Sequence, residues 1–171
     1  TSAAVGVIMD AVSGDLAMAL HLLAATGVRR GELVGLRWSD IYAVGDRFVV
    51  YVAESVYKLP GQRIKRKSTK AENESEVTLP ADLLPFLAAH RRWQVSAALA
   101  AGVKPVDGGP IIADLRADLS GATGLSPAWL SQAWGRLRNE CGYPDIKFHG
   151  IRHLHGSLQI GRASCRERVS S

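Results

Sequence analysis

Cysteine is almost missing from this chain of 171 residues: Cys141 and Cys165 are the two present. Two cannot build a disulfide framework or a four-cysteine zinc site, so neither can be what holds the fold together. Long apolar runs are missing as well; none approaches the roughly eighteen residues that a membrane span requires. The first residues, TSAAVGVIMDAVSGDL, have neither the basic start nor the apolar stretch of a secretory signal, and the expectation is an intracellular, cytoplasmic protein. Low-complexity tracts, internal repeats and long Pro/Gly/Ser stretches do not occur either. What is present is 47% apolar and 22% charged residues, the profile of one globular domain with a proper core. The formal charge of +5 and the pI near 9.5 permit a nucleic-acid partner without locating a site on it.

Local patterns give the order of elements. Ser13-Gly-Asp-Leu followed by Leu16, Leu20 and Leu23 predicts an N-capped amphipathic helix that stops at Gly27, and Arg30 to Leu36 predicts a shorter one with Leu33 and Leu36 on one face. The two would cross near Arg29. Trp38, Ser39 and Asp40 form a turn into Ile41. After the Gly45-Asp46 turn, Phe48 to Tyr57 (FVVYVAESVY) is rich in β-branched and aromatic residues and reads as one strand, with Pro60-Gly61 as a turn. Arg63 to Lys67 and Glu76 to Leu79 would complete a three-stranded antiparallel sheet with it. A helix is expected from Pro80 to about Ala101, with Leu83, Phe86, Leu87 and Leu99 buried, followed by a loop at GVKPVDGGP. Ser126 as cap and Pro127 at the first position start another helix, whose apolar face runs through Leu130, Ala133, Trp134, Leu137 and Cys141 to Gly142. A last helix begins near Phe148-His149. The fold class is a mostly α, α+β domain.

Three segments carry chemistry. The stretch Thr26 to Ile41, TGVRRGELVGLRWSDI, sets Arg29 after a helix-ending glycine and Glu32 three residues further on. A planar guanidinium with a fixed fork can hold two oxygens of a phosphate, and a carboxylate behind it would hold the fork still. An isolated arginine at a helix end is ordinarily just solvated; it is the whole box that points to chemistry. The stretch FHGIRHLHGSL places His149 and Arg152 three apart on one face of a helix beginning there, where backbone amides also favour an anion. His149 and His153 have the i, i+4 spacing of metal ligands, yet no Glu or second Cys stands beside them. Between the two, RIKRKSTKAENESEVTLP carries Lys65, Lys67 and Lys70; a solvated charge run is the bland reading of any one of them.

Together these segments resemble the tyrosine recombinases of the phage-integrase type over Asp15 to about Gln159. The first stretch resembles the family's first conserved box, the second its His-x-x-Arg-His box, and the third its β-hairpin with a catalytic lysine. The resemblance implies a helical DNA breaking-rejoining core, with Arg29, Lys70, His149 and Arg152 as catalytic residues and Glu32 and His153 behind them. It further implies double-stranded DNA as partner, self-association on DNA as a tetrameric synapse in the intact parent, a prokaryotic or phage source, and no metal or other cofactor. Counted back from Val77-Thr78-Leu79, Lys70 matches the family lysine best. Family members place a further His or Trp and the nucleophilic tyrosine beyond the second box. Here Tyr42, Tyr51, Tyr57 and Tyr143 all precede His149. From Ile160 to Val169 the chain is similar to one translated frame of a common sequencing-library adapter, ATC GGA AGA GCG TCG TGT AGG GAA AGA GTG. The expectation is a partial catalytic domain over 1–159 and an artefactual, disordered tail over 160–171, so that this chain binds DNA without cutting it. Rival readings are a non-catalytic DNA-binding remnant, a type IB topoisomerase-like enzyme sharing the phosphate cage, and a His-based metal hydrolase.

Overall fold

A computed structural model describes residues 2–57, 65–68 and 75–151. The elements run α1 (Ser2–Asp10), α2 (Gly14–Thr26), α3 (Arg30–Gly35), a 3-10 turn (Trp38–Asp40), β1 (Ile41–Val44), β2 (Arg47–Val52), β3 (Glu54–Tyr57), β4 (Lys65–Ser68) and β5 (Ser75–Thr78). A second 3-10 turn (Ala81–Leu83), α4 (Leu84–Ala100) and α5 (Pro127–Glu140) follow. Residues 148–151 are again helical. Helices on both sides of a small sheet region bear out the mostly α, α+β class. Among the described residues no helix is long and apolar enough to cross a membrane.

Helix ends follow their local chemistry. Gly27 closes α2 at φ 64°, a left-handed conformation that costs glycine nothing, and its N–H returns to the Leu23 carbonyl. At the start of α5 the Ser126 hydroxyl accepts the Trp129 N–H at 3.1 Å and Pro127 takes the first position. Ser13 stands at the start of α2 in extended conformation but makes no side-chain cap. The 3-10 turn at Trp38 is closed instead by Asp40, which accepts the Arg37 N–H at 2.8 Å.

The strands pair differently from the sequence expectation. There is a three-stranded antiparallel sheet, but its order is β1-β2-β5, while β3 and β4 form a separate two-stranded ribbon. Phe48 to Tyr57 is therefore two strands broken at Ala53, and Ile41–Val44 supplies the third strand of the sheet. Alternation could not reveal the break: Val49 and Val50 are both buried, and from Val50 onwards the buried Val52 and Val56 keep to even positions on either side of Ala53, as they would in one continuous strand. Packing explains it. The ribbon lies against α3, where a Cβ on Gly31 would come within 2.8 Å of the Val56 carbonyl oxygen and one on Gly35 within 3.0 Å of that of Glu54. Two glycines on one helix face let β3 approach closely and draw it out of the sheet.

The core lies between α2, α3, α5 and the inner face of the sheet, with Leu20, Leu23, Leu33, Val50, Leu130 and Ile151 buried. The expected buried face of α4 needs correction. Leu83 and Leu87 are buried, but Phe86 is 54% and Leu99 62% exposed. The helix buries His90 and Gln94 in their place. Gln94 accepts the Trp38 indole N–H at 2.8 Å and donates to the Ile111 carbonyl at 2.9 Å. His90 Nε2 is 3.0 Å from the same carbonyl, which can only accept, so this nitrogen carries the ring proton. Polar partners on another part of the chain make these two positions burial sites, and no helical apolar pattern announces that.

Asp15, at the start of α2, brings an oxygen to 3.5 Å from His90 Nε2. Burial, reinforced by the charge of Asp114 and opposed by Arg116, pushes its carboxyl up to about 6. Burial also lowers the His90 imidazole, against the opposing pull of its bond to Ile111. A carboxyl whose folded value is raised contributes stability that is present below about pH 4 and is lost as pH rises through 6. Asp15→Asn, which stays neutral, should therefore melt higher than the parent at pH 7.5 and together with it below pH 4. A thermal melt series across that range checks this, and a gain confined to acid would contradict the burial argument.

Candidate phosphate-binding site

Arg29 occupies the position just before α3, with extended φ −73° and ψ 154°. Its backbone N–H donates to one Glu32 oxygen at 2.7 Å and its guanidinium to the other at 2.9 Å. Glu32 is buried, while the Arg29 side chain is 62% exposed. The carboxylate thus sits behind the guanidinium, in the first turn of a helix whose free amides also favour negative charge. One side of the fork is anchored and the rest faces outwards, as a receptor for an oxyanion requires.

His149 reaches the same place from the far end of the chain. After α5, residues 143–151 are tied back to that helix: the Trp134 indole and the Arg138 guanidinium both donate to the Ile146 carbonyl, each at 3.1 Å. Phe148 packs edge-on against Trp134 with ring centroids 6.0 Å apart. Ile151 is fully buried. With Phe148 and Ile151 held inwards, the exposed His149 lies beside Arg29 in a cavity of about 360 Å³ walled by Leu23, Val28, Arg29, Arg30, Phe148 and His149. A cavity of that size has room for a phosphodiester group.

The expected constellation is brought together in part. Arg29, Glu32 and His149 converge. Lys70 lies in 69–74, between β4 and β5, and together with Arg152 and His153 it falls outside the described residues, as does the tail over 160–171. Sequence reasoning passed over Arg30, which walls the Arg29–His149 cavity as well as a second one; its position beside Arg29 was the available signal.

Among the described residues no tyrosine lines the Arg29–His149 cavity, and Tyr57 rims a neighbouring cleft beside Arg30. Tyr42, on β1, hydrogen-bonds Glu76 across the sheet, and that bond is the main cause raising its hydroxyl to about 12. Tyr143 is half-buried against the core.

No protein-family model matches the chain. A tyrosine recombinase XerC-like protein of Caldanaerobacter subterraneus subsp. tengcongensis is 30% identical over 174 residues, an alignment covering 95% of this chain and 43% of that protein. Among solved structures, the Tn1549 transposon integrase in complex with transposon right end DNA superposes with a TM-score of 0.67 at 17% identity, over 91% of this chain and 50% of that one. The XerH site-specific recombinase bound to difH substrate in a pre-cleavage complex gives 0.58 at 18% identity, over 91% and 39%. The chain thus spans half or less of the length of these relatives. This sequence likeness supports a tyrosine recombinase catalytic domain, and the chain shares the fold of the two solved structures.

Proposed function

We propose that the chain is the phosphate-binding part of an enzyme for site-specific DNA recombination, in which a tyrosine attacks a backbone phosphodiester. In that reaction the tyrosine oxygen bonds to phosphorus, the bond from phosphorus to the 5′ oxygen breaks, and a 3′-phosphotyrosyl link and a 5′ hydroxyl result. The step reverses with another strand, so the bond energy is kept. The observation that carries the reading is the meeting of Arg29 and His149 in one cavity, with Glu32 fixing the arginine from behind. Arg29 stabilises charge on the non-bridging oxygens as phosphorus becomes pentacoordinate, and His149 donates to them or relays a proton. From the box resemblance, Arg152 is the second guanidinium, Lys70 protonates the leaving 5′ oxygen and His153 supports the pair. These cationic groups supply the charge neutralisation themselves. DNA is the partner, and the tetrameric synapse belongs to the full-length protein.

Every tyrosine of the chain precedes His149 in sequence, and none takes part in this scheme. The chain as it stands is expected to bind duplex DNA nonspecifically, with a Kd of about a micromolar or weaker at physiological salt and a steep loss as salt rises. Incubated with a nicked duplex that traps a covalent intermediate and run on a denaturing gel, it should give no adduct. An adduct abolished by Tyr143→Phe would make Tyr143 the nucleophile and overturn the box assignment; failure to bind DNA at low salt would remove the reading altogether.

A further inference from the structure

The cavity shared by Arg29 and His149 has a neighbour. Arg30, the first residue of α3, turns away from Arg29 because the two stand at successive backbone positions with different conformations, one extended and one helical. Its guanidinium donates to the Ser131 hydroxyl on α5. There it forms the wall of a second cleft, about 430 Å³, floored by Gly31 and Val56 and rimmed by Tyr57, Ser131 and Gln132. Arg30 and Gln132 are exposed to solvent, and Tyr57 is 38% exposed. Among the described residues no carboxylate lines the cleft, in contrast to Arg29 with Glu32 and to Arg91 with Asp107. Across the ribbon, exposed Lys65 stands opposite Tyr57. The Ser131 hydroxyl donates to the Pro127 carbonyl at 3.2 Å and accepts from Arg30, so the cleft offers a guanidinium and a side-chain amide to an acceptor, in a field made more positive by its surroundings. Serine is a neutral partner that leaves most of Arg30's five donors available.

We propose that Arg30, held in place by Ser131, seats with Gln132 a second backbone phosphate of the same DNA strand, next to the phosphate addressed by Arg29. This rests on the reading above that the ligand is a DNA backbone. Arg30 walls both cavities, so two phosphates bound in them would be neighbours along one strand. Holding both fixes the direction of the strand across the site, which one phosphate held by itself leaves free to rotate. Arg30 is on this account a positioning residue.

The test uses the full chain and two readouts. Affinity for a short duplex is measured over a series of salt concentrations for the parent, Arg30→Ala and Gln132→Ala. Loss of one phosphate contact should lower the slope of log affinity against log salt by about 0.9. In Arg30→Ala it should also weaken binding about tenfold at low salt; Gln132→Ala, which removes no charge, should keep the slope and bind a few-fold less tightly. Separately, a thymidine trinucleotide with two phosphodiesters is titrated into labelled protein. The Arg30 Nε and Gln132 amide resonances should shift together with those of Arg29 and His149. Shifts confined to Arg29 and His149, with an unchanged slope in Arg30→Ala, would overturn the second seat and leave the DNA reading standing. An Arg30→Ala protein that melts lower yet binds with the parental slope would reduce Arg30 to a tie between α3 and α5, and overturn it equally. If the parent shows neither salt-dependent binding nor any shift, both readings fall.

Discussion

Arg29→Lys in the full-length protein should slow DNA cleavage about a hundredfold while leaving DNA affinity within about threefold of the parent. The charge is retained, and so is the attraction to phosphate that dominates binding. What is lost is the fork. Arg29 spends one nitrogen on Glu32 at 2.9 Å and turns the rest of its plane outwards, a division that needs a rigid guanidinium with several donors at set angles. A lysine ammonium can pair with Glu32 or with the phosphate, but it cannot span two non-bridging oxygens while held from behind. Because charge on those oxygens grows only as phosphorus becomes pentacoordinate, the defect belongs to the rate of the chemical step and not to ground-state binding. Single-turnover cleavage of a nicked substrate and equilibrium binding to the same duplex separate the two. Equal losses in both would make Arg29 a plain phosphate anchor.

Gly31→Ala should lower the melting temperature by roughly 5–10 °C, about 2–3 kcal/mol for a chain of this size. The added methyl would come within 2.6 Å of the Ser55 hydroxyl oxygen and 2.8 Å of the Val56 carbonyl oxygen. The hydroxyl can rotate away, but the carbonyl is backbone in a paired strand, since Val56 faces Arg66 across the ribbon. Relief must come from moving α3 away from β3, and α3 carries Arg29, Arg30 and Glu32. The same substitution at Gly135, where a Cβ would meet nothing within 4 Å, should raise stability by several tenths of a kcal/mol through helix propensity alone. Thermal melts of both variants decide the matter: a neutral Gly31→Ala would mean that the α3–β3 approach is looser than its geometry.

The contrast between these two glycines marks what can be read from a chain before it folds. Both lie inside helices and look alike in sequence. The end of α2 at Gly27, the Ser126-Pro127 start of α5 and the apolar stripe through Leu130, Ala133 and Trp134 were legible because caps, left-handed turns and helical periodicity act over a few residues. The Arg29–Glu32 pair was legible for the same reason, being three residues apart on one short helix. The mostly α, α+β class followed from the order of such local patterns, and the family resemblance from the boxes. Tertiary packing alone decided that Phe48 to Tyr57 is two strands, since the side-chain period continues unbroken through Ala53 and only the approach of α3 pulls β3 away. It decided that α4 buries His90 and Gln94 and leaves Phe86 and Leu99 in solvent, because the carbonyl that satisfies both polar residues, that of Ile111, arrives from a loop beyond the helix. It also brought His149 to Arg29 and turned Arg30 towards Ser131. Spacing in sequence sets which side chains share an element; which elements meet depends on the shapes of buried surfaces far apart along the chain, and those exist only once the core has formed.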